Sequence, residues 1–448
     1  MNPGIAAPSP SEGTRSISCV KNKRILIIST TTGYQTRSFG EAADRLGVEL
    51  VMATDRCDQL EDPWRDAAVP VRFFDEEISL QAVIEASRTK PIHGVLALGD
   101  RPTVLAARVS EALALPGNPV AAAEISRNKL ATRERLASAG LAAPWFRSVA
   151  ANADPAALAR ELSFPCVVKP LGLSGSRGVI RADDPAQFVT AFERLRRLLM
   201  EPGVQAARDW LNDAIIVEGF VAGREFALEG IIEAGRLHTL ALFDKPDPLD
   251  GPYFEETTYV TPSELPARRQ REVEDVVARA IAAIGLRHGP VHAECRVQDE
   301  VVVLEVAARP IGGLCAKALR FEDPVLGAMS LEELLLRHAC GESVDRAVRE
   351  AVSSGVMMMP IPARGIYRRV EGVDAAGKVP GVEDVRITAK PDQLLVPLPE
   401  GASYLGFIFA RRERPEEVVQ ALRAAHTQLR FVIDREIAVS RTSSGTSG

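Results

Sequence analysis

Along the first 120 residues, blocks of uninterrupted apolar residues alternate with amphipathic stretches. Residues 24–28 (RILII) are apolar after Arg24, and the run ends in Ser29, Thr30, Thr31, Thr32 and Gly33. A strand buried on both faces of a parallel sheet, followed by a polar turn and a helix, has this signature. The helix is expected over residues 36–46, a second strand over 48–54 (VELVMAT) and another over 94–98 (GVLAL). Gly99-Asp100 breaks that last strand, and a helix over 104–114 lies behind it. Alternation of this kind predicts a doubly wound α/β domain over residues 22–120. No GxGxxG follows Ile28, so a dinucleotide site is not indicated. The domain reads instead as a scaffold that offers a substrate pocket at its strand C-termini.

From residue 121 the texture changes. A helix is expected over 124–139, stopped by Gly140. Strands over 164–171 and 178–181 flank the loop Gly172-Leu173-Ser174-Gly175-Ser176-Arg177, and a helix covers 188–199. Strands follow over 214–221, 225–233 and 236–244, then helices over 272–284 and 331–339. This central domain is set at residues 121–345. Beyond it, Pro and Gly punctuate short strands near 384–390 and 404–409, with a helix over 415–429. That pattern suits a small C-terminal α+β subdomain over residues 346–437. Residues 1–21 and 438–448 read as flexible tails.

Composition narrows the class. With 448 residues there is room for about three domains and a large core. A net charge of −6 and the lack of any long basic run argue against a nucleic-acid surface. No run of 18 apolar residues exists to span a membrane. Pro and Ser interrupt the N-terminus where a signal peptide is continuously apolar, so the chain is expected in the cytoplasm. The six cysteines are scattered without a CxxC and read as reduced, apolar thiols. His288 and His292 are separated by Gly289-Pro290 and cannot share a helix face, which argues against zinc.

The richest segment is residues 291–313, VHAECRVQDEVVVLEVAARPIGG. It reads as two strands turning at Asp299-Glu300, and a two-residue turn places Glu294 opposite Glu305. Facing side chains lie about 5 Å apart at Cβ, where like charges repel. Either both glutamates are solvated, or something positive stands between them. A hard divalent cation with carboxylate and phosphate ligands fits, Mg²⁺ being the usual one. Arg309 follows, then Pro310 and Gly312-Gly313, which can bring backbone amides close to an anion. Upstream, Lys169 ends an apolar strand just before the Gly/Ser loop, whose amides and hydroxyls can face phosphate oxygens. The loop is not a Walker A motif, lacking GKS or GKT, and Lys129 alone reads as an ordinary helix lysine. The segment Val217-Glu218-Gly219-Phe220-Val221, followed by Gly223-Arg224-Glu225, is a strand leaving its sheet at a glycine turn.

Taken in order, Lys129, Lys169, the Gly/Ser loop, VEGFVAGRE, Glu294, Glu305 and Arg309 resemble the ATP-grasp superfamily over roughly residues 120–345. Residues 243–266 and the region around SYLGFIFARRERPEEVVQAL resemble the L-amino acid ligases, which form dipeptides. The resemblance implies a central ATP-grasp domain using ATP with Mg²⁺ or Mn²⁺, and small-molecule amino acid substrates. It implies that Lys129 and Lys169 contact ATP phosphates, that Glu218 and Val221 meet the adenine edge through their backbone, and that Glu225 takes the ribose hydroxyls. Ser174, Gly175, Ser176 and Gly178 would close over the β- and γ-phosphates, and Lys245 is a further phosphate candidate. Glu294 and Glu305 would hold the metal. Arg309, with Gly312 and Gly313, would steady the substrate carboxylate. One departure is Ala307, where the superfamily usually places a metal-binding Asn. ATP-dependent purine-synthesis ligases, biotin-dependent carboxylases and a non-catalytic nucleotide sensor are the competing readings. A homodimer is the expected assembly.

Overall fold

The computed structural model describes residues 20–30, 34–55 and 68–435. The expected tails, apart from residues 20 and 21, and the turn at 31–33 lie outside these residues. The N-terminal unit is doubly wound. Four parallel strands stand in the order Val69–Pro70, Glu49–Thr54, Arg24–Ser29, Gly94–Leu98. The strand Arg24–Ser29, apolar between its two ends, has neighbours on both sides and helices on both faces. Ile25 and Ile27 join Phe39 and Ala42 of helix Tyr34–Leu46, while Leu26 and Ile28 join Val83, Leu105 and Val109 of helices Glu76–Thr89 and Pro102–Ala112.

The next segment departs from expectation. In place of one helix over 124–139, the chain forms Val120–Arg127 and Lys129–Ser138, broken at Asn128. Asn128 is extended (φ −102°, ψ 109°), and its Oδ1 accepts the N–H groups of Leu130 and Ala131 at 3.1 and 3.3 Å. An Asn side chain that caps these amides ends one helix and begins another. Lys129 is thereby moved from mid-helix to a helix's first residue.

Two further sheets face each other. A four-stranded antiparallel sheet runs in the order Phe146–Ala150, Ala214–Gly219, Cys166–Pro170, Ile180–Ala182. Helix Pro185–Leu199 covers it, burying Phe188, Phe192 and Leu195. The second sheet has eight antiparallel strands. Its order is Val301–Ala307, Gly289–Val297, Arg224–Glu233, Arg236–Asp244, Thr258–Thr261, Ser353–Met359, Gly406–Arg412, Val382–Ile387. The sheet crosses residue 345 without a break, since Thr258–Thr261 pairs with Ser353–Met359. The C-terminal region therefore shares one wall with the carboxylate hairpin. Among the described residues no helix is long and apolar enough to cross a membrane.

Candidate active site

Where the two antiparallel sheets and the ends of the parallel strands converge lies a cavity of about 570 Å³. Ser29, Leu98, Gly99 and Asp100 reach it from the C-terminal ends of parallel strands, the usual ligand side of such sheets. Lys129, Lys169, Glu218, Val221 and Glu225 line it, as do Glu294, Glu305, Arg309, Gly312 and Gly313. Ser174, Gly175 and Ser176 close one side. Of the residues singled out above, Gly178 and Lys245 are not on the lining. Gly178 has φ +76°, and a Cβ there would lie 2.8 Å from the Leu195 side chain, so its smallness serves the packing under the loop.

Glu294 does face Glu305, by a different route from a two-residue turn. Val297 pairs with Val301, leaving a three-residue loop, and one extra residue, Leu304, bulges before the glutamates. The bulge restores the register that the longer loop had shifted. It also turns Leu304 onto the cavity wall.

The positive charge that two facing carboxylates require comes in part from the chain itself. Lys245 Nζ lies 3.0 Å from Glu294 Oε1, 2.8 Å from Glu225 and 2.5 Å from Glu256. The three carboxylates stand close enough together to suggest a metal cage, yet the Lys245 ammonium sits at their centre. Burial with this ring of glutamates holds Lys245 charged, since their attraction outweighs the loss of solvent. Burial and the nearby Glu294 push the Glu256 carboxyl up to about 7. On the other side of Glu294, His292 Nε2 is 3.6 Å away, and its Nδ1 is 3.0 Å from the fully buried Glu229. Burial opposes charge on this ring, but its hydrogen bonds to Glu229 and Glu294 win and raise it to about 9. His292 is therefore an imidazolium at neutral pH, and Glu294 titrates well below the usual carboxylate range.

Glu305 is left more open. Its nearest cation is Lys129 Nζ at 3.9 Å, and Lys129 itself donates to the Leu173 carbonyl at 2.8 Å. Glu305 and Glu294 thus present hard carboxylate oxygens on one face of one hairpin, a donor set that fits Mg²⁺ or Mn²⁺. Ala307 pairs with His292 and adds no ligand atom.

Lys169 is positioned from below. Its ammonium pairs with Glu218, whose carboxylate also receives Arg133 Nε and Nη2 at 2.8 and 3.3 Å. Burial would raise Glu218, but Arg133 and Lys169 win and bring it down to about 2. Arg133 in turn donates to the Val303 carbonyl at 2.7 Å, tying this network to the hairpin. Arg296 does similar work at the rim. It donates to the Val221 carbonyl (2.6 Å) and Glu225 (3.1 Å) while lying over the Phe220 ring, 5.0 Å from its centre.

Arg309 is held by the N-terminal domain. Its Nε and Nη2 lie 3.0 and 3.4 Å from the two oxygens of Asp100, and Nη1 donates to the Pro310 carbonyl. Burial favours a neutral Asp100, but Arg309 overrides it and keeps the carboxyl below its ordinary range. Gly313 takes φ +62°, and a Cβ would press on the Phe407 ring at 3.1 Å. Around Gly312 the space is open.

Sequence reasoning missed Asp100, His292, Glu256 and Arg296. Asp100 had a signal, as a carboxylate just past the C-terminal end of a parallel strand. His292 had one too, two residues before Glu294 and hence on the same strand face. Arg296 had the same signal, two residues after Glu294 on that strand, and Glu256 had none.

Comparison with known proteins agrees with this architecture. A model of the ATP-grasp N-terminal domain matches residues 40–117, one of the ATP-grasp domain residues 162–318, and one of the L-amino acid ligase C-terminal domain 2 residues 357–434. The chain is 27% identical over 401 residues to the uncharacterized protein y4rH of Sinorhizobium fredii, covering 87% of this chain and 79% of that protein. It is 27% identical over 220 residues to the alanine–anticapsin ligase of Bacillus subtilis, a match that spans only 46% of each chain. The crystal structure of an L-amino acid ligase from Bacillus licheniformis has a TM-score of 0.78 at 27% identity, covering 93% of this chain and 100% of that one. The chain is therefore built of an ATP-grasp N-terminal domain, an ATP-grasp domain and a C-terminal domain of the L-amino acid ligase type.

Proposed function

We propose that the chain is an ATP-dependent carboxylate–amine ligase that joins two amino acids through an acyl phosphate, releasing ADP and phosphate. The observation that carries this reading is the meeting in one cavity of Lys129 and Lys169, the Glu294/Glu305 pair and the Arg309–Asp100 pair. Lys129, Lys169 and the Gly/Ser loop suit a triphosphate, with Val221 and Glu225 toward the base and ribose. Arg309 suits a substrate carboxylate, which its planar fork can grip with two hydrogen bonds. Asp100 beside it suits the ammonium of the same amino acid. Mg²⁺ held by Glu294 and Glu305 would neutralise the charge gathering on the transferred phosphoryl group.

In the first step a carboxylate oxygen attacks the γ-phosphorus, and the bond to the β-phosphate oxygen breaks with its electrons leaving on ADP. In the second step the amine nitrogen of the other amino acid attacks the acyl carbon. The carbon–oxygen bond to phosphate then breaks, its electrons leave on phosphate, and the proton from nitrogen passes to that departing phosphate. The chain's share is positioning and charge. Two lysines and Arg309 face the developing negative oxygens, His292 holds Glu294 in place, and the Gly/Ser loop keeps water from the acyl phosphate. The C-terminal domain type favours this over purine-type ligation or carboxylation. Ala307 is the observation that favours a nucleotide sensor. The same reading keeps the chain in the cytoplasm and makes a homodimer the assembly to test by sedimentation.

The deciding experiment incubates the protein with ATP, Mg²⁺ and all pairs of the twenty amino acids. Phosphate release and dipeptide mass are then measured together. One pair or group of pairs should yield dipeptide and phosphate in equal amounts. Stoichiometric pyrophosphate, or an inert protein with every pair, would end the ligase reading.

A further inference from the structure

The Gly/Ser loop belongs to the four-stranded subdomain, whereas residues 396–405 hang from the C-terminal region, more than two hundred residues later in the chain. Four hydrogen bonds tie the later segment to the loop and to the helix behind it. The Glu400 carboxylate receives Arg194 Nε at 2.5 Å and Nη2 at 2.9 Å, a bidentate pair. The Glu400 carbonyl receives Arg177 Nε at 2.7 Å, and the Pro399 carbonyl receives the Gly178 N–H at 2.8 Å. Arg177 and Gly178 are the last residues of the Gly/Ser loop, and Arg194 lies on the helix behind it. The later loop has a fixed shape: a Cβ on Gly401 would sit 1.8 Å from the Val396 carbonyl oxygen. The same loop also reaches the cavity, where Ala402 and Tyr404 form part of the lining.

We infer that residues 396–405 are a strap by which the C-terminal domain holds the Gly/Ser loop closed over the phosphate end of the nucleotide, with Glu400 as the positioning residue. The inference rests on the ligase reading above for the identity of what is enclosed. A loop over phosphates must open to admit ATP and close to keep water from an acyl phosphate. The Glu400–Arg194 pair is only partly buried, at 26% and 34% side-chain exposure, so it is weak enough to break in each cycle. A contact of this kind biases an open–closed equilibrium by about fivefold without locking it. Because Tyr404 and Ala402 ride on the same loop, one segment sets both the cavity wall and the lid.

The test uses the full chain with Glu400→Gln, Glu400→Arg and the charge exchange Glu400→Arg with Arg194→Glu. Trypsin cleavage after Arg177 reads lid closure without turnover. In the wild type, ADP with Mg²⁺ should slow this cleavage. In Glu400→Gln and Glu400→Arg the protection should fall about fivefold, and the charge exchange should restore most of it. In turnover, KM for ATP should rise by a similar factor, and phosphate should be released in excess over amide product. A wild type that ADP does not protect, equal protection in wild type and Glu400→Gln, or an exchange variant as unprotected as Glu400→Arg would each overturn the strap. Nucleotide protection that depends on Glu400 in a protein that ligates nothing would uphold the strap and remove the ligase reading alone.

Discussion

The charges in this cavity arrive in pairs, and in each pair one member holds the other in place. Lys169 rests on Glu218, Arg309 on Asp100, and His292 on Glu229. A buried charge without a partner costs several kcal/mol, so the partner decides whether the functional group can exist there at all. Arg309 is the sharpest test. Lys at this position keeps the charge but cannot span both Asp100 oxygens and a substrate carboxylate with a planar fork. Arg309→Lys should leave ADP affinity within a few-fold. Ligation should drop by about 10²-fold or more, as expected from removing one preorganised charge contact worth roughly 3–4 kcal/mol. Wild-type turnover in this variant would show that Arg309 is a structural tie to the N-terminal domain and nothing more. Most of the charged side chains that line the cavity were legible in the sequence. Their supports were not. Asp100 lies 209 residues from Arg309, Arg133 lies 85 from Glu218, and no local pattern encodes such distances.

At the scale of elements, the hairpin Gly289–Val297 and Val301–Ala307 shows what periodicity can and cannot deliver. The strands and the facing glutamates followed from alternation, whereas the three-residue loop and the bulge at Leu304 did not. The two deviations cancel at Glu294 and Glu305, because burying the apolar face of the hairpin fixes the register wherever the turn falls. Asn128 shows the opposite case. Apolar spacing runs through it, and only its capping chemistry breaks the helix and presents Lys129. The hairpin also makes a prediction. Glu305 has only a distant, partly exposed ion pair to lose, worth under about 1 kcal/mol, and Glu305→Gln also relieves a facing like charge worth roughly 0.2–1 kcal/mol. The apo protein should therefore melt within about 2 °C of the wild type. Ligation should fall by at least about 10³-fold, because metal charge stabilisation worth several kcal/mol goes with the ligand. A variant that melts normally and ligates normally in modest Mg²⁺ would remove Glu305 from the metal site.

At the scale of the whole molecule, three histidines in two places should shape the dependence of stability on pH. His292 is raised from an ordinary 6.5 to about 9 by Glu229 and Glu294 against the opposing effect of burial. Its contribution to stability is therefore complete below about pH 6.5 and is lost as pH climbs through 9. His288 and His338 behave in the opposite sense. Their rings stack with centroids 4.3 Å apart and lie 22° from parallel, and His338 is buried. Burial lowers both to about 4, aided at His288 by its neighbour His338 and at His338 by the charge of His238, while Glu233 pulls His288 the other way. The unfolded chain then takes up protons before the folded one does, so stability falls as pH drops from about 6.5 toward 4. Each of these two rings is expected to cost on the order of 1 kcal/mol across that window after allowance for partial solvent access. For these histidines the two limbs meet near pH 6.5. Urea melts between pH 4 and 9.5 would trace the curve. His338→Phe, which keeps an aromatic ring against His288, should flatten the acid limb and leave the alkaline one. His292→Gln should flatten the alkaline limb and leave the acid one. A curve that the His338 variant leaves unchanged below pH 6 would place the acid sensitivity in the carboxylates, with Glu218 and its two cations first among them.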